Sequence, residues 1–288
     1  MRSIADWLEP RLARAAALAA SGAAADGLAP DAPLQLGIDL GTSCVVTMVL
    51  DGEGRPVAVR LDWADVVRDG VVWDFFGAVQ IVRRQLESLA ALFGDRLPKQ
   101  ATTSYPPGTD PRISVNVIEA AGLEVSGVID EPSAVAALLR LDKAAVVDIG
   151  GGTTGVAVVR DGRIVNSGDE PTGGHHVSLA LAGARGLPLA EAEMLKRGKD
   201  NAALWPIVRP VFDKMAHIVE NHLRKWQVDT QLTTLYLSGG SCSMPGVREL
   251  FAQRFPQLEV ILPQPPLFLT PLAIAAHGLA GACAEVQA

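Results

Sequence analysis

The stretch that decides the fold reads Val147-Asp148-Ile149-Gly150-Gly151-Gly152-Thr153-Thr154-Gly155. An earlier stretch repeats its pattern as Ile38-Asp39-Leu40-Gly41-Thr42-Ser43. Each copy is followed by an apolar run and then by an Asp-Gly pair, at Asp51-Gly52 and at Asp161-Gly162. An order of strand, polar turn, strand and Asp-Gly turn predicts a β-hairpin in each copy. Because the hairpin occurs twice, the sequence predicts a duplicated fold.

Two common glycine-rich phosphate sites do not fit these turns. Residues 150–155 match G-x-G-x-x-G, but that fingerprint opens a helix, whereas residues 156–159 are apolar and β-branched and predict a strand. No G-x-x-x-x-G-K-[ST] stretch is present, which excludes a P-loop. The remaining functional interpretation is a hairpin clamp, in which glycine N–H groups surround a phosphate. Two plain hairpins with aspartate in tight turns are the alternative, and two copies in register favour the clamp.

The polar residues of both copies suit a phosphate that carries a cation. Asp39 and Asp148 each end an apolar strand. Magnesium prefers oxygen ligands and keeps several of its waters, so two carboxylates beside phosphates suit it. The turns also offer hydroxyl donors, at Thr42, Ser43, Thr153 and Thr154. The sequence therefore predicts two polar turns that face one cleft, with a nucleotide as the leading hypothesis for its ligand.

Composition narrows the functional class. The chain has 288 residues, of which 49% are hydrophobic and 20% charged, which is ample for a folded core. Its net charge of −7, with no basic cluster, argues against a surface that coats nucleic acid. The cysteines Cys44, Cys242 and Cys283 show no C-x-x-C spacing, so we expect neither a disulfide framework nor a zinc site, and a reducing cytoplasm fits. No apolar run reaches the roughly 20 residues of a membrane span.

Strand and helix patterns alternate in two successive halves, which predicts an α/β protein of two lobes. We predict an N-terminal helix and linker at residues 1–33, a first lobe at 34–142 and a second lobe at 143–266. A final helix within residues 267–288 would complete the first lobe. Ligands of such sheets usually lie in a crevice at the strand ends.

The N-terminal segment carries a helix signal of its own. Trp7, Leu8 and Leu12 recur at helical spacing. A helix at the membrane surface and a helix docked on the body or on a partner are both open, and the thin basic face favours docking.

Two later helices have predicted starts. The first covers residues 208–226, with Pro210 in its first turn, where proline is tolerated. The second covers residues 270–279, with Thr270 as its cap.

The two polar turns resemble the phosphate motifs of the actin/Hsp70/sugar-kinase superfamily. The connecting helix of that superfamily is matched by Asp130-Glu131-Pro132-Ser133-Ala134-Val135-Ala136. Its adenosine motif is matched by Leu237-Ser238-Gly239-Gly240-Ser241-Cys242-Ser243-Met244-Pro245-Gly246. A ribose-contacting element of bacterial actin-like members is matched by Ala192-Glu193-Met194-Leu195-Lys196. The resemblance runs in order over residues 34–280 and implies a two-lobed actin/Hsp70-like ATPase fold, with duplicated RNase H-like domains and a central nucleotide cleft.

The resemblance also implies a site for ATP or ADP with Mg²⁺. Asp39 and Asp148 would complete the metal surroundings largely through water, and Glu131 would help position the attacking water or the metal shell. These three residues are the candidate catalytic group. The remaining candidates would contact the nucleotide: Gly41, Thr42, Ser43, Gly150, Gly151, Gly152, Thr153 and Thr154 at the phosphates, Glu193 and Lys196 at the ribose, and Gly239, Gly240 and Ser241 along the adenosine.

The sequence departs from Hsp70 in two places. Hsp70 takes a catalytic lysine from an inserted subdomain, and residues 65–95 offer no clear equivalent. We therefore expect a slow ATPase, with a nucleotide-binding protein that does not turn over as an alternative. Little sequence follows the last predicted helix, so we expect no peptide-binding domain and no clamp-type chaperoning of extended peptides.

A closer resemblance is to the ethanolamine-utilisation protein J family, an Hsp70-like family encoded with ethanolamine microcompartment systems. Four stretches carry this resemblance: residues 61–70, residues 75–79, residues 106–112, and Thr172-Gly173-Gly174-His175-His176. Membership implies a chaperone or assembly factor for ethanolamine-utilisation enzymes or their microcompartment in the bacterial cytoplasm, which changes conformation with nucleotide. An actin-like filament or scaffold and a small-molecule kinase are the rival interpretations, and the kinase would need an added substrate domain.

Overall fold

The computed structural model describes residues 4–68, 71–198, 200–228 and 231–285. Within these residues the strands form two five-stranded sheets and one two-stranded ribbon. In chain order the strands are β1 Leu34–Leu40, β2 Cys44–Asp51, β3 Pro56–Trp63, β4 Val67–Arg68, β5 Val71–Val72, β6 Gln100–Tyr105, β7 Glu124–Asp130, β8 Ala144–Ile149, β9 Thr154–Arg160, β10 Arg163–Glu170, β11 Thr234–Ser238 and β12 Glu259–Ile261.

Helices connect and cover these strands. In chain order they are α1 Ile4–Ser21, α2 Phe75–Phe93, α3 Arg112–Ala120, α4 Glu131–Leu138, α5 Gly174–Arg185, α6 Leu189–Arg197, α7 Trp205–Lys225, α8 Val247–Arg254 and α9 Leu269–Glu285. None of the helices in the described ranges combines the length and the apolar character that crossing a bilayer requires.

The two large sheets have the same topology. Their strand orders are β3-β2-β1-β6-β7 and β10-β9-β8-β11-β12. In each sheet the first three strands in sequence form an antiparallel meander, and the last two run parallel to the first. The duplication predicted from the repeated hairpin is therefore present. The two polar turns follow β1 and β8, which occupy equivalent places in the two sheets.

The apolar runs of the two hairpins explain why their strands are central. Every residue of β2 and of β8 is buried, as expected for strands covered on both faces. The sequence patterns did not reveal β12, which is three residues long, or the ribbon β4–β5, whose strands have two residues each. Such strands are too short for a periodic signal.

Helices α4 and α9 exchange partners between the sheets. Helix α4 follows the first sheet in sequence but packs mainly on β8, β9 and β10, whereas α9 follows the second sheet and packs on β1, β2 and β6. The two helices also pack on each other. Gly37 permits the close approach of α9, because a Cβ there would overlap the Cα of Ala275. The lobe bounds at 34–142 and 143–266 stay predictions. All strands of the first large sheet lie within the first range, and all strands of the second lie within the second.

Helix α1 is docked on the body of the protein. Leu8 and Leu12 are fully buried in a core that also contains residues of α4 and α9. The guanidinium group of Arg11 donates hydrogen bonds to the carbonyl oxygens of Glu53 and Gly54, both at 3.0 Å. The structure therefore places this segment against the first sheet, as the docking interpretation expected.

Replacing Leu12 by alanine is expected to destabilise the protein by roughly 2 to 5 kcal/mol, because the change leaves a cavity in a packed core. Urea denaturation followed by circular dichroism measures the loss. Arg14→Ala, on the exposed side of the same helix, is the matched control and should change stability by less than about 0.5 kcal/mol. Equal, small effects of both variants would show that α1 is a detachable segment.

One predicted helix start was wrong. Helix α7 begins at Trp205 rather than at residue 208, with Pro206 at its start. Pro210 therefore lies inside the helix, where it cannot donate the backbone hydrogen bond that would reach back by four residues. The ring of Trp205 stacks on Phe212 with centroids 5.8 Å apart. This stacking stabilises the extra turn at the start of the helix. The order of polar and apolar residues in the sequence does not reveal such a contact.

Candidate functional site

A cavity of about 270 Å³ opens between the two sheets, beside the carboxyl ends of β1 and β8. This volume is close to the lower end of the roughly 300–1,000 Å³ typical of ligand pockets. All of the predicted site residues except Gly152 and Thr154 line it. These are Asp39, Gly41, Thr42, Ser43, Glu131, Asp148, Gly150, Gly151, Thr153, Glu193, Lys196, Gly239, Gly240 and Ser241.

The two polar turns touch each other across this cavity. A Cβ added at Gly151 would overlap Ser43 Oγ and would lie 3.0 Å from the backbone nitrogen of Ser43. Glycine at this position therefore allows the second turn to approach the first. The structure brings together the two stretches that the sequence pattern paired.

The protein itself holds the second turn in shape. The carbonyl oxygen of Gly150 accepts hydrogen bonds from the backbone N–H of Gly174, at 2.9 Å, and from Ser241 Oγ, at 2.7 Å. The N–H of Gly150 donates to the carbonyl of Thr153 at 3.1 Å. The turn is therefore ordered by the protein's own hydrogen bonds, which lowers the entropic cost of binding a ligand.

Gly152 and Thr154 lie behind the turn rather than at the cavity. Thr154 is buried, and its hydroxyl donates to the carbonyl oxygen of Thr172 at 2.6 Å. Gly152 is buried too, and a Cβ at Gly173 would lie 2.6 Å from its carbonyl carbon. The structure thus gives Thr154 a structural bond in place of the phosphate contact that the resemblance implied.

The carboxylates of Asp39, Glu131 and Asp148 converge beside the two polar turns. We call this part of the cavity the phosphate end, because the resemblance implies the phosphates there. Burial raises the pKa of Asp39 to about 7, and the charge of Asp148 adds to the shift. Burial also raises the pKa of Glu131 well above its ordinary value, with further contributions from Asp39 and Asp148. Glu131 begins α4, directly after Asp130, which caps that helix through the N–H of Ser133 at 3.0 Å. The cavity therefore concentrates negative charge where it would meet a phosphate.

Asp148 is the best anchored of the three. Ser238 Oγ donates to its Oδ2 at 2.8 Å, and Thr270 Oγ1 donates to the same oxygen. Burial still raises the pKa of Asp148, although both hydroxyl groups oppose the shift. The predicted capping role of Thr270 was wrong, because α9 already begins at Leu269. As a residue of the first helical turn, Thr270 instead orients a candidate metal-site carboxylate.

Asp169 is a fourth acidic group that the sequence reasoning missed. Burial raises its pKa to about 7, against a hydrogen bond from the Thr153 side chain, and Asp148 adds to the increase. Its Oδ1 is buried and has no hydrogen-bond partner within the described residues. The apolar residues of β10 end at Val165, whereas the strand continues to Glu170 and pairs Asp169 with Gly155. No local pattern in the sequence therefore places this carboxylate beside the second turn.

The arrangement fits a hydrated cation rather than a directly chelated one. The described part of the chain contains no group of three or more His, Cys, Asp or Glu side chains that could hold a metal ion. Asp39 and Asp148 nevertheless repel each other in a buried cleft, and a divalent cation between them would relieve that repulsion. Magnesium keeps several waters and takes phosphate oxygens as ligands, so a pair of carboxylates is a sufficient protein contribution.

A second polar cluster lies on α6 and α5. Lys196 Nζ lies 2.8 Å from Glu193 Oε2 and donates to the carbonyl of Gly174 at 2.9 Å. Ser178 Oγ donates to Glu193 as well. Burial would raise the pKa of Glu193, but Lys196, Ser178 and Arg197 together hold it below its ordinary value. The cluster thus presents an ionised carboxylate with a paired ammonium group, which suits the hydroxyl groups of a sugar.

The cavity has further lining residues that were not predicted as site residues. They include Trp63, Arg197, Asn201, Phe212, Met244 and Leu267. Most are apolar, and in a sequence they cannot be told from core residues. Leu267 lies against Gly240, where an added Cβ would be 2.9 Å from Leu267 Cδ1.

Comparison with known proteins gives consistent similarities. The chain is 59% identical over 276 residues to the ethanolamine utilization protein EutJ of Salmonella typhimurium, which covers 96% of this chain and 95% of that protein. A crystal structure of ethanolamine utilization protein EutJ from Carboxydothermus hydrogenoformans matches with a TM-score of 0.86 and 42% identity, over 95% of this chain and 99% of that one. The family model described as cell division protein FtsA matches residues 145–277.

A more distant match bears on the fold alone. The crystal structure of MreB 5 of Spiroplasma citri gives a TM-score of 0.68 at 17% identity, over 89% of this chain and 99% of that one. Together with the duplicated sheets, these similarities confirm the predicted architecture. It is a two-lobed actin/Hsp70-like ATPase fold with a cleft between the lobes.

Proposed function

This chain belongs to the family of the ethanolamine utilization protein EutJ, and we propose that it binds a magnesium–adenine nucleotide between its lobes in the service of ethanolamine utilisation. The observation that carries the proposal is the meeting of the two polar turns, where Gly151 lies against Ser43. Asp39 and Asp148 flank that contact in equivalent positions of the two sheets. A phosphate chain placed there would meet hydroxyl and N–H donors from both lobes at once.

Each part of the cleft has a separate task in this proposal. The hydroxyl groups of Thr42 and Ser43 and the backbone N–H of Thr153 donate hydrogen bonds to phosphate oxygens, and Asp39 and Asp148 hold the water shell of the cation. When bound, magnesium would neutralise phosphate charge and polarise the bond to the terminal phosphoryl group. A ligand held by both turns draws the lobes together, and lobe closure changes the surface that a partner meets.

In this proposal Glu131 is the base that orients an attacking water. Its carboxyl group lines the cavity, and burial, with the charges of Asp39 and Asp148, raises its pKa well above the ordinary value, which makes the carboxylate a stronger base.

The charge pattern supports slow turnover. Among the described residues that line the cavity, the Lys and Arg side chains are Lys196 and Arg197, and both pair with Glu193. Among the described residues, no neighbouring lysine or arginine lowers the raised pKa values of Asp39, Glu131 and Asp148. Phosphoryl transfer depends on stabilising developing charge, so hydrolysis without such a cation would be slow. A protein that binds nucleotide without turnover is therefore the second candidate.

Phosphate release under single-turnover conditions separates these two candidates. We expect the unaltered chain to release phosphate from ATP slowly but faster than Asp148→Ala. Equal background rates in both proteins would favour nucleotide binding without turnover.

We propose further that the nucleotide state controls a chaperone or assembly interaction with ethanolamine-utilisation enzymes or microcompartment components. Immobilised protein loaded with magnesium and either ATP or ADP would be incubated with purified ethanolamine-utilisation enzymes. The proposal expects one nucleotide to retain a partner several times better than the other. Equal retention with both nucleotides would contradict a nucleotide-driven cycle.

A further inference from the structure

A contact between Trp63 and Arg197 joins the two lobes at a place away from the polar turns. Trp63 is the last residue of β3, in the first sheet, and Arg197 is the last residue of α6, beside the second. The guanidinium carbon of Arg197 lies over the Trp63 ring, 4.1 Å from its centroid. This distance is well within the roughly 6 Å of a cation–π interaction. Both side chains line the cavity, and Trp63 is 49% exposed, so the contact lies at the mouth of the cleft.

The cluster of Glu193, Lys196 and Ser178, which is the candidate site for the sugar, orients Arg197. Arg197 Nε lies 3.4 Å from Glu193 Oε1, while Glu193 Oε2 is paired with Lys196 at 2.8 Å. The Glu193 carboxylate therefore pairs with both cations. It holds Lys196 beside the carbonyl group of Gly174 and Arg197 over the Trp63 ring. A ligand that bonds to Glu193 acts on the position of Arg197 as well.

Helix α6 is only lightly attached to its lobe. The structure describes every residue of α6, and among them only Ala192 is buried. The helix packs mainly on α5. An element with little buried apolar surface can shift at low free-energy cost. The second-lobe side of the Trp63–Arg197 contact is therefore able to move relative to the sheet behind it.

We propose that Trp63 and Arg197 form a clasp that closes the mouth of the cleft and limits the rates at which nucleotide enters and leaves. This inference rests on the proposed nucleotide site and assigns a role to two residues outside its motifs. The contact spans the mouth of the cleft from one lobe to the other, so it must break both for entry and for release. Its loss is expected to raise both rate constants, while the dissociation constant changes less than either of them.

Stopped-flow fluorescence with N-methylanthraniloyl-ADP and magnesium measures both rate constants. Trp63→Ala and Arg197→Ala are each expected to raise them by roughly 2- to 5-fold, the range that corresponds to a partly exposed cation–π contact. The double variant should be no faster than the faster single variant, because both changes remove the same contact.

Two conservative variants test the chemistry of the clasp. Trp63→Phe keeps an aromatic face, so its rates should lie near those of the unaltered chain. Arg197→Lys keeps the charge but loses the planar group that stacks on a ring, so its rates should approach those of Arg197→Ala.

Two matched controls lie outside the cavity lining. Leu189→Ala changes an exposed residue of the same helix, and Trp73→Ala removes another half-exposed tryptophan. Both should leave the rate constants unchanged.

The outcomes separate the clasp from the nucleotide site. If the unaltered chain binds the probe but Trp63→Ala and Arg197→Ala leave its rates unchanged, or act additively in the double variant, the clasp is wrong and the site stands. If the unaltered chain does not bind the probe, both the proposed function and the clasp are overturned.

Discussion

Replacing Asp39 by asparagine is expected to stabilise the free protein and, at the same time, to weaken its magnesium-dependent nucleotide binding about 10- to 100-fold. Burial and the charge of Asp148 raise the pKa of Asp39 from 3.8 to about 7. Between these two pH values the folded protein therefore keeps a proton on this carboxyl group, whereas the unfolded chain has released it. Asparagine has the same shape and no charge to bury, so the free protein gains stability, while the hydrated cation would lose a carboxylate that holds its water shell.

The sign of the pH dependence follows from the raised pKa. Below pH 3.8 the carboxyl group is neutral in both states and costs nothing. As the pH rises from 3.8 through about 7, the unfolded chain ionises first, so the stability of the folded protein falls. At pH 8 the full penalty is present, and Asp39→Asn should be more stable than the unaltered chain by on the order of 2 to 4 kcal/mol.

Urea denaturation between pH 4 and pH 8 tests this prediction. The curves of the unaltered chain and of Asp39→Asn should converge near pH 4 and separate as the pH rises. Asp95→Asn, at an exposed position outside the cleft, should stay within about 0.5 kcal/mol of the unaltered chain throughout. A variant that is less stable at pH 8 would mean that Asp39 has a structural role.

Replacing Gly239 by alanine is expected to cost roughly 3 kcal/mol or more of stability and to remove nucleotide binding. Gly239 adopts φ +89°, a conformation that L side chains rarely take. A Cβ there would overlap the carbonyl oxygen of Ile149 and would lie 2.6 Å from Asp148 Oδ1. The methyl group would therefore strain the backbone and displace a carboxylate of the proposed metal site.

Gly186 provides the matched control for this substitution. It has φ +63° at the end of α5, and no atom lies within 4 Å of an added Cβ. Gly186→Ala should therefore show backbone strain alone, about 1 to 2 kcal/mol, with unchanged nucleotide binding. Urea denaturation and calorimetry measure both properties. Equal losses in the two variants would contradict the close packing of Gly239 against β8.

The hairpins could be predicted from the sequence because their signals are local. Apolar strands that end in aspartate and a glycine-rich turn specify a conformation over about ten residues, and the repeat set the two copies in equivalent places. The places of Asp39 and Asp148 near the ends of their strands, and of the turn at Gly150, could therefore be predicted from the sequence alone. Helix α2 has equally local signals, because Asp74 caps its start, Gly94 follows its end and a regular apolar stripe lies between them.

Other parts of the site depend on contacts that no local pattern encodes. The hydroxyl group of Thr270 meets Asp148 across 122 residues of sequence. Trp63 and Arg197 come together because the two lobes face each other, and each alone is typical of an ordinary surface or core residue. Strand β12 is held by its pairing with β11 rather than by its own composition. These features follow from the tertiary arrangement, which the repeat predicted only in outline.

Calorimetric titration of the full chain with ATP, in magnesium and then in EDTA, tests whether the cleft binds a magnesium–nucleotide complex. The acidic cleft should repel bare triphosphate, so we expect binding of one ATP per chain with magnesium and at least about 100-fold weaker binding in EDTA. Asp39→Asn should reduce the difference between the two conditions. The absence of binding in magnesium, or equal affinity in both conditions, would contradict a magnesium–nucleotide site between Asp39 and Asp148.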